Sequence, residues 1–175
     1  MTIQQAAALL RTPRVEWTQP QVWCDLGCGE GLFTRTLATL LAPGSTIYAV
    51  DRNQPALGRI PDERHGVTVR KILGDLNDDS LQLPSADGIL MANVLHFIPE
   101  QENLLKRLRD VSERFLIVEY EQGQSSTWRP YPVNFQKLRD LFHAAGVHSV
   151  TQISTRKSRF GGTMYAALAE VARSC

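Results

Sequence analysis

Hydrophobic and polar positions change period repeatedly along this chain, and the changes mark out its elements. Ile3, Ala6, Ala7 and Leu10 recur at helical spacing behind Thr2, with Gln5 three residues on. This capping-box pattern predicts a short helix that stops before Pro13. Residues 16–20 are irregular, and Trp17 there is either a staple onto the core or a lid residue over a site. An apolar run over 22–25 ends in an acid and predicts a strand, followed by a turn with Gly27, Gly29 and Gly31 at alternate positions. Leu32, Phe33, Leu37, Leu40 and Leu41 then fall on one helical stripe that Pro43-Gly44 ends.

The alternation continues. Residues 45–50 are β-branched and apolar and run into Asp51, which predicts a second strand; a short helix from Pro55 through Ile60 follows. Residues 67–73 read as a third strand that breaks at Gly74-Asp75, and 86–92 as a fourth that ends at Asn93. Pro99 opens a helix with Leu104, Leu105, Leu108 and Val111 inward, and 115–120 form a fifth strand. Residues 121–133 carry Trp128, Arg129 and Tyr131 among loop formers, a mixture that suits a binding loop. Asn134 caps a helix that Gly146 closes, and residues 147–154 and 163–171 make two last strands of a hairpin.

Strands alternating with helices imply right-handed crossovers, and so an α/β fold. The expected architecture is a doubly wound, mostly parallel seven-stranded sheet with helices on both faces and one antiparallel strand from the C-terminal hairpin. Residues 1–20 are a helical leader and 21–175 a single domain. Ligands of such sheets sit beyond the carboxyl ends of the strands. That rule gathers residues 25–31, Asp51, Asp75, Asn93, Glu119 and Tyr120 on one rim, with the tip of the last hairpin beside them if its first strand runs parallel to the others.

Composition narrows the classes. The 175 residues are enough to bury about 70% of the unfolded chain's surface. Lys plus Arg (19) nearly balance Asp plus Glu (18), so no overall field attracts nucleic acid or an anionic membrane. Without a membrane-length apolar run or a signal-type N-terminus, a cytoplasmic soluble protein is expected. Cys24, Cys28 and Cys175 suit reduced thiols, and their spacing gives no metal site.

AspLeuGlyCysGlyGluGly at 25–31, AlaValAsp at 49–51 and GlyAsp at 74–75 stand one strand apart in register. With these elements the chain resembles the class I S-adenosylmethionine (SAM) dependent methyltransferases from Val22 to its end. A nicotinamide dehydrogenase would carry Gly-x-Gly-x-x-Gly instead. The resemblance implies SAM as cofactor, its methionine part packed on Gly27, Gly29 and Gly31, with Cys28 a small turn residue and Asp25 supporting the loop or the amino group. It also implies that Asp51, with Arg52 beside it, meets the ribose hydroxyls, that Asp75 faces the adenine amino group and Leu76 its ring, and that the backbone at Ala92 or Asn93 holds the methionine end.

Methyl transfer from a sulfonium is an in-line displacement, so alignment and water exclusion come first, and a base is needed only if the acceptor must lose a proton. His96, Glu119 and Tyr120 are the candidates on the rim; the alternative for His96 is a packed or capping residue, and for the other two a structural hydrogen bond. Arg129, Arg156, Lys157 and Arg159 form either a cationic rim for an anionic acceptor or a solvated basic turn. Trp128, Tyr131 and Phe160 could cover a flat, aromatic acceptor or the sulfonium by cation–π contact, with one or two of them belonging to the core instead. The strand-four end lacks Asn/Asp-Pro-Pro-Tyr and the chain lacks Pro-Cys, which disfavours nucleic acid as substrate. The expected function is methyl transfer to O or N of a small molecule; the alternative is a SAM-binding regulatory or scaffolding module without turnover. A short leader leaves the acceptor pocket open or completed by a second copy in a homodimer.

Overall fold

A computed structural model describes residues 1–121, 125–158 and 162–171; Arg159, Phe160 and Cys175, singled out above, lie outside them. Helix α1 (Ile3–Leu10) starts as its capping box requires: Thr2 Oγ1 accepts the Gln5 N–H at 3.2 Å and Gln5 Oε1 accepts the Thr2 N–H at 3.1 Å. Its Ala6, Leu9 and Leu10 pack on Phe33 and Leu37 of α2 (Leu32–Leu40). Trp17 is a staple. Its ring stacks on Trp23 at 5.9 Å and its Nε1 donates to the Thr12 carbonyl at 2.9 Å.

Strands β1 (Val22–Leu26), β2 (Thr46–Asp51), β3 (Glu63–Arg64), β4 (Val67–Leu73), β5 (Gly88–Ala92), β6 (Arg114–Tyr120), β7 (Ser149–Lys157) and β8 (Thr163–Glu170) form one sheet in the order β3-β4-β2-β1-β5-β6-β8-β7. The five strands β4, β2, β1, β5 and β6 are parallel, and β8 runs antiparallel between β6 and β7. β7 therefore runs with β6, which brings the β7–β8 turn to the rim that carries the strands' carboxyl ends. Strand order reverses between β1 and β5, and there a crevice opens.

Side chains alternate across the sheet, and each face has its own cover. Cys24, Leu26, Ile89, Met91 and Ile117 point into the layer of α4 (Gln101–Leu108) and α5 (Phe135–Ala144), against Leu105, Leu138 and Phe142. Trp23, Leu90 and Leu116 point the other way, into α1 and α2. Gly88 is required where β5 begins, because a Cβ there would lie 2.5 Å from the Trp23 ring. Among the described residues no helix is long and apolar enough to cross a membrane.

Among the described residues eight strands stand where seven were expected. The additional one, β3, is two charged residues folded back on β4 by His65-Gly66, whose φ values of 55° and 74° give the left-handed pair that a two-residue hairpin turn needs. Helix α3 (Gln54–Leu57) is shorter than expected; a 3₁₀ turn over Leu95–Phe97 precedes Pro99, and α4 begins after that proline rather than at it, with Glu100 as its N-cap. The seventh strand lies further along than expected, at Ser149–Lys157, and accommodates a bulge between Gln152 and Ser154.

Candidate active site

The turn after β1 is built from left-handed glycines. Gly27, Gly29 and Gly31 have φ of 70°, 52° and 80°, and Gly27 and Cys28 both donate backbone N–H bonds to the Val50 carbonyl, at 2.8 and 3.1 Å. A Cβ on Gly27 would come within 2.3 Å of Val94 Cγ2, so the turn lies close against the chain after β5. Asp51, at the end of β2, ties this turn to the next. Its Oδ2 accepts the Gly29 N–H at 2.7 Å and its Oδ1 the Asn53 N–H at 2.8 Å. An ionised carboxylate has about four acceptor positions, so about two remain.

Asp51 lines a cleft of about 230 Å³ in the crevice between β1 and β5. Of the residues singled out in the sequence, Gly27, Asp51, Arg52, Asp75, Leu76 and Asn93 line it. Val94, Phe97 and Ile98 line it too, although no motif marks them. Asp75 accepts the Asn77 backbone N–H at 3.0 Å and its Nδ2 at 2.9 Å, and Arg52 Nη1 stands 3.5 Å from its Oδ2. The Asn77 bonds, and more weakly Arg52, hold the half-buried Asp75 carboxyl below its usual range.

Of the turn's other expected cofactor residues, Asp25, Cys28, Gly29 and Gly31 do not line the cleft. Asp25 is buried, its Oδ2 accepting the Thr34 hydroxyl at 2.6 Å, which ties the end of β1 to the first turn of α2. Burial pushes its carboxyl up to about 7, against the pull of Thr34. Burial also raises the Cys28 thiol, and that of Cys24 to about 12, so neither is a thiolate near neutrality.

Asn93 ends β5 in the left-handed region, at φ 58°, with its N–H donated to the Val118 carbonyl at 2.8 Å. Its Oδ1 is buried with no hydrogen-bond partner among the described residues. The same side chain walls the cleft and a second cavity, of about 600 Å³, lined also by His96, Phe97, Tyr120, Ser126, Trp128 and Arg129.

His96 and Glu119 meet in that second wall. Glu119 Oε2 lies 2.7 Å from His96 Nδ1, and its Oε1 accepts the His96 backbone N–H at 3.3 Å, with both side chains buried. Both carboxylate oxygens are thus turned to His96. Tyr120 stands edge-on to the imidazole, 6.3 Å away, and carries the Arg129 guanidinium 4.8 Å over its ring. Trp128 and Tyr131 are not core residues: they are 81% and 41% exposed. The basic residues of the expected rim are divided, since Arg129 lines this cavity while Arg156 and Lys157 line another.

A family model described as a methyltransferase domain matches residues 24–114, more than half of the chain. The chain belongs to this methyltransferase domain family. Its fold is that of solved SAM-dependent methyltransferases. The chain is 36% identical over 94 residues to trans-aconitate 2-methyltransferase of Mycolicibacterium gilvum, covering 54% of this chain and 34% of that protein. It is 35% identical over 86 residues to the protein of that name from Mycobacterium tuberculosis strain H37Ra, covering 49% and 31%. The chain thus spans about a third of the length of the curated relatives it matches. Its fold is shared with the YcgJ protein of Bacillus subtilis (TM-score 0.72, 9% identity, 98% of this chain and 100% of that one). A SAM-dependent methyltransferase from Aquifex aeolicus superposes with a TM-score of 0.62 at 14% identity, over 96% and 98%. The N-terminal domain of EvdMO1, whose structure holds the demethylated cofactor S-adenosylhomocysteine, gives 0.66 at 17% identity, over 98% and 81%.

Proposed function

We propose that the protein transfers the methyl group of SAM to an oxygen or nitrogen of a small molecule. One observation carries this reading: the cleft that holds Asp51 and the 600 Å³ cavity that holds His96 share a wall made by Asn93 and Phe97, so donor and acceptor would meet across those two side chains. The two remaining acceptor positions of Asp51 suit the vicinal ribose hydroxyls of SAM, which meet two acceptors at once. Asp75 would accept from the adenine amino group and Leu76 would lie against the ring. The glycine turn admits the methionine part because it presents no side chain there. The unpartnered Asn93 Oδ1 would take a donor from the methionine end, a role for the side chain where a backbone contact was expected.

When bound, SAM supplies a methyl group made electrophilic by its sulfonium. The protein's part is alignment and exclusion of water, worth up to about 7 to 11 kcal/mol when the geometry is right. Phe97 and Trp128 would wall the acceptor, and Arg129 would meet an acid group on it. Since relatives are named for trans-aconitate, polycarboxylic acids are the first acceptors to try. An acceptor that must lose a proton would give it to the second ring nitrogen of His96, which Glu119 orients through Nδ1.

Incubation with methyl-labelled SAM and a panel of carboxylic acids, phenols and amines tests the proposal. Label in one acceptor class, with S-adenosylhomocysteine formed in equal amount, is the expected outcome. Tight SAM binding with no transfer to any of them would favour the binding module, and binding of NAD in place of SAM would sink the donor assignment.

A further inference from the structure

A third hollow, of about 220 Å³, lies beyond the same wall and shares Asn93 and Tyr120 with the cavities already described. Leu32, Phe33 and Met164 give it an apolar lining, and Gln5, Arg156 and Lys157 its polar one. Among the described residues no acidic side chain lines it. Arg156 and Lys157 form no ion pair with a carboxylate among the described residues, unlike Arg14 and Arg114, which both pair with Glu170. Arg156 is half-buried, opposite Met164 in the β7–β8 ladder. A guanidinium partly withdrawn from water beside apolar side chains is best satisfied by an anion that fits its fork.

Topology makes the position meaningful. Because β7 runs parallel to β6, Arg156 reaches the rim on which Gly27 and Asn93 stand. Leu32 and Phe33 open α2 directly after Gly31, so the hollow continues the glycine turn on the side away from Asp75. We propose that it is a carboxylate subsite of the active site, with Arg156 as the ligand and Lys157 at its edge. The inference rests on the donor reading above. Two carboxylates could reach it: that of the amino-acid end of SAM, leading away from the ribose past Gly27 and Asn93, and an acid group of the acceptor.

Calorimetry on the full chain separates the sources. S-adenosylhomocysteine and 5′-deoxy-5′-methylthioadenosine share the nucleoside and sulfur, but only the first has a carboxylate; trans-aconitate, titrated into protein saturated with S-adenosylhomocysteine, probes the acceptor side. Arg156→Ala should weaken one carboxylate ligand by about tenfold or more, the scale of a charge-assisted hydrogen bond, and Lys157→Ala by less. Loss for S-adenosylhomocysteine with methylthioadenosine unchanged identifies the cofactor's carboxylate; loss for trans-aconitate alone identifies the acceptor's. The subsite is overturned if neither affinity changes, or if both nucleosides weaken equally. Arg156→Gln, which keeps the aliphatic stem and a hydrogen-bonding end without the charge, should behave as Arg156→Ala does, and thermal melts confirm that each variant is folded. If the unsubstituted protein binds neither nucleoside, the donor reading fails, and the subsite with it.

Discussion

The imidazole Nδ1 of His96 and the Oε2 of Glu119 stand 2.7 Å apart, and the carboxylate's other oxygen holds the backbone of the same histidine. One side chain from the middle of the sheet thus fixes both the ring and the turn that carries it. Glu119→Ala leaves these donors buried without an acceptor, which should cost about 1 to 3 kcal/mol in urea unfolding. Glu119→Gln keeps an acceptor oxygen and should cost less than half as much.

Asp25 gives the fold a pH dependence of definite sign. Its carboxyl is raised from 3.8 to about 7 by burial, so between those values the folded chain holds a proton that the unfolded chain has released. The contribution is complete below pH 3.8 and is lost as pH rises through about 7. Asp25→Asn still offers Thr34 an acceptor and cannot ionise. Its stability relative to the parent, read from unfolding midpoints at a series of pH values, should rise across this window.

Gly27 and Gly29 should differ although both are left-handed. Alanine at 27 adds a clash with Val94 to the backbone strain, whereas at 29 nothing stands within 4 Å of the added carbon. Gly29→Ala should cost about 1 kcal/mol, within the range for a non-glycine residue held at positive φ, and Gly27→Ala measurably more. Adding Val94→Ala should recover part of the second loss and none of the first, as thermal melts of the four variants would show.

Asp51→Ala should weaken S-adenosylhomocysteine binding by about 1.5 to 3 kcal/mol, the scale of hydrogen bonds to a charged acceptor. It also releases the Gly29 and Asn53 amides. Hydrogen exchange at those two positions should therefore quicken even without ligand, and an unchanged affinity would remove Asp51 from the donor site.

Cys24 and Cys28 should resist alkylation by iodoacetamide at pH 8 in the folded protein and react once it is unfolded in urea. Both are buried, and burial raises both thiols. Rapid labelling of either under native conditions would mean that the β1 end opens.

Much of this could be read from local pattern, because strand ends, glycine turns and caps are set by neighbours in sequence. The Thr2 box, the glycines after β1 and Asp51 at the end of β2 are of that kind. What escaped depends on partners far apart along the chain. Thr34 as the mate of Asp25, Val94 against Gly27 and Glu119 facing His96 all require the crossovers to be closed first. The strand β3 was missed for another reason: two charged residues carry no hydrophobic period, and only the His65-Gly66 turn gives it away. The division of the basic rim follows from Tyr120, which lies between Arg129 and Arg156 in space but not in sequence.

The outermost strands bear on how copies of the chain can meet. One edge is only Glu63 and Arg64, and the other, β7, is interrupted by its bulge and turns Thr151 and Gln152 to solvent. Short, charged or bulged borders discourage a neighbouring chain from adding its own strand. Sheet continuation is therefore a poor route to self-association, and a dimer of this protein would have to form through its helical faces or the loops around the rim, where it could change access to the site without extending the sheet.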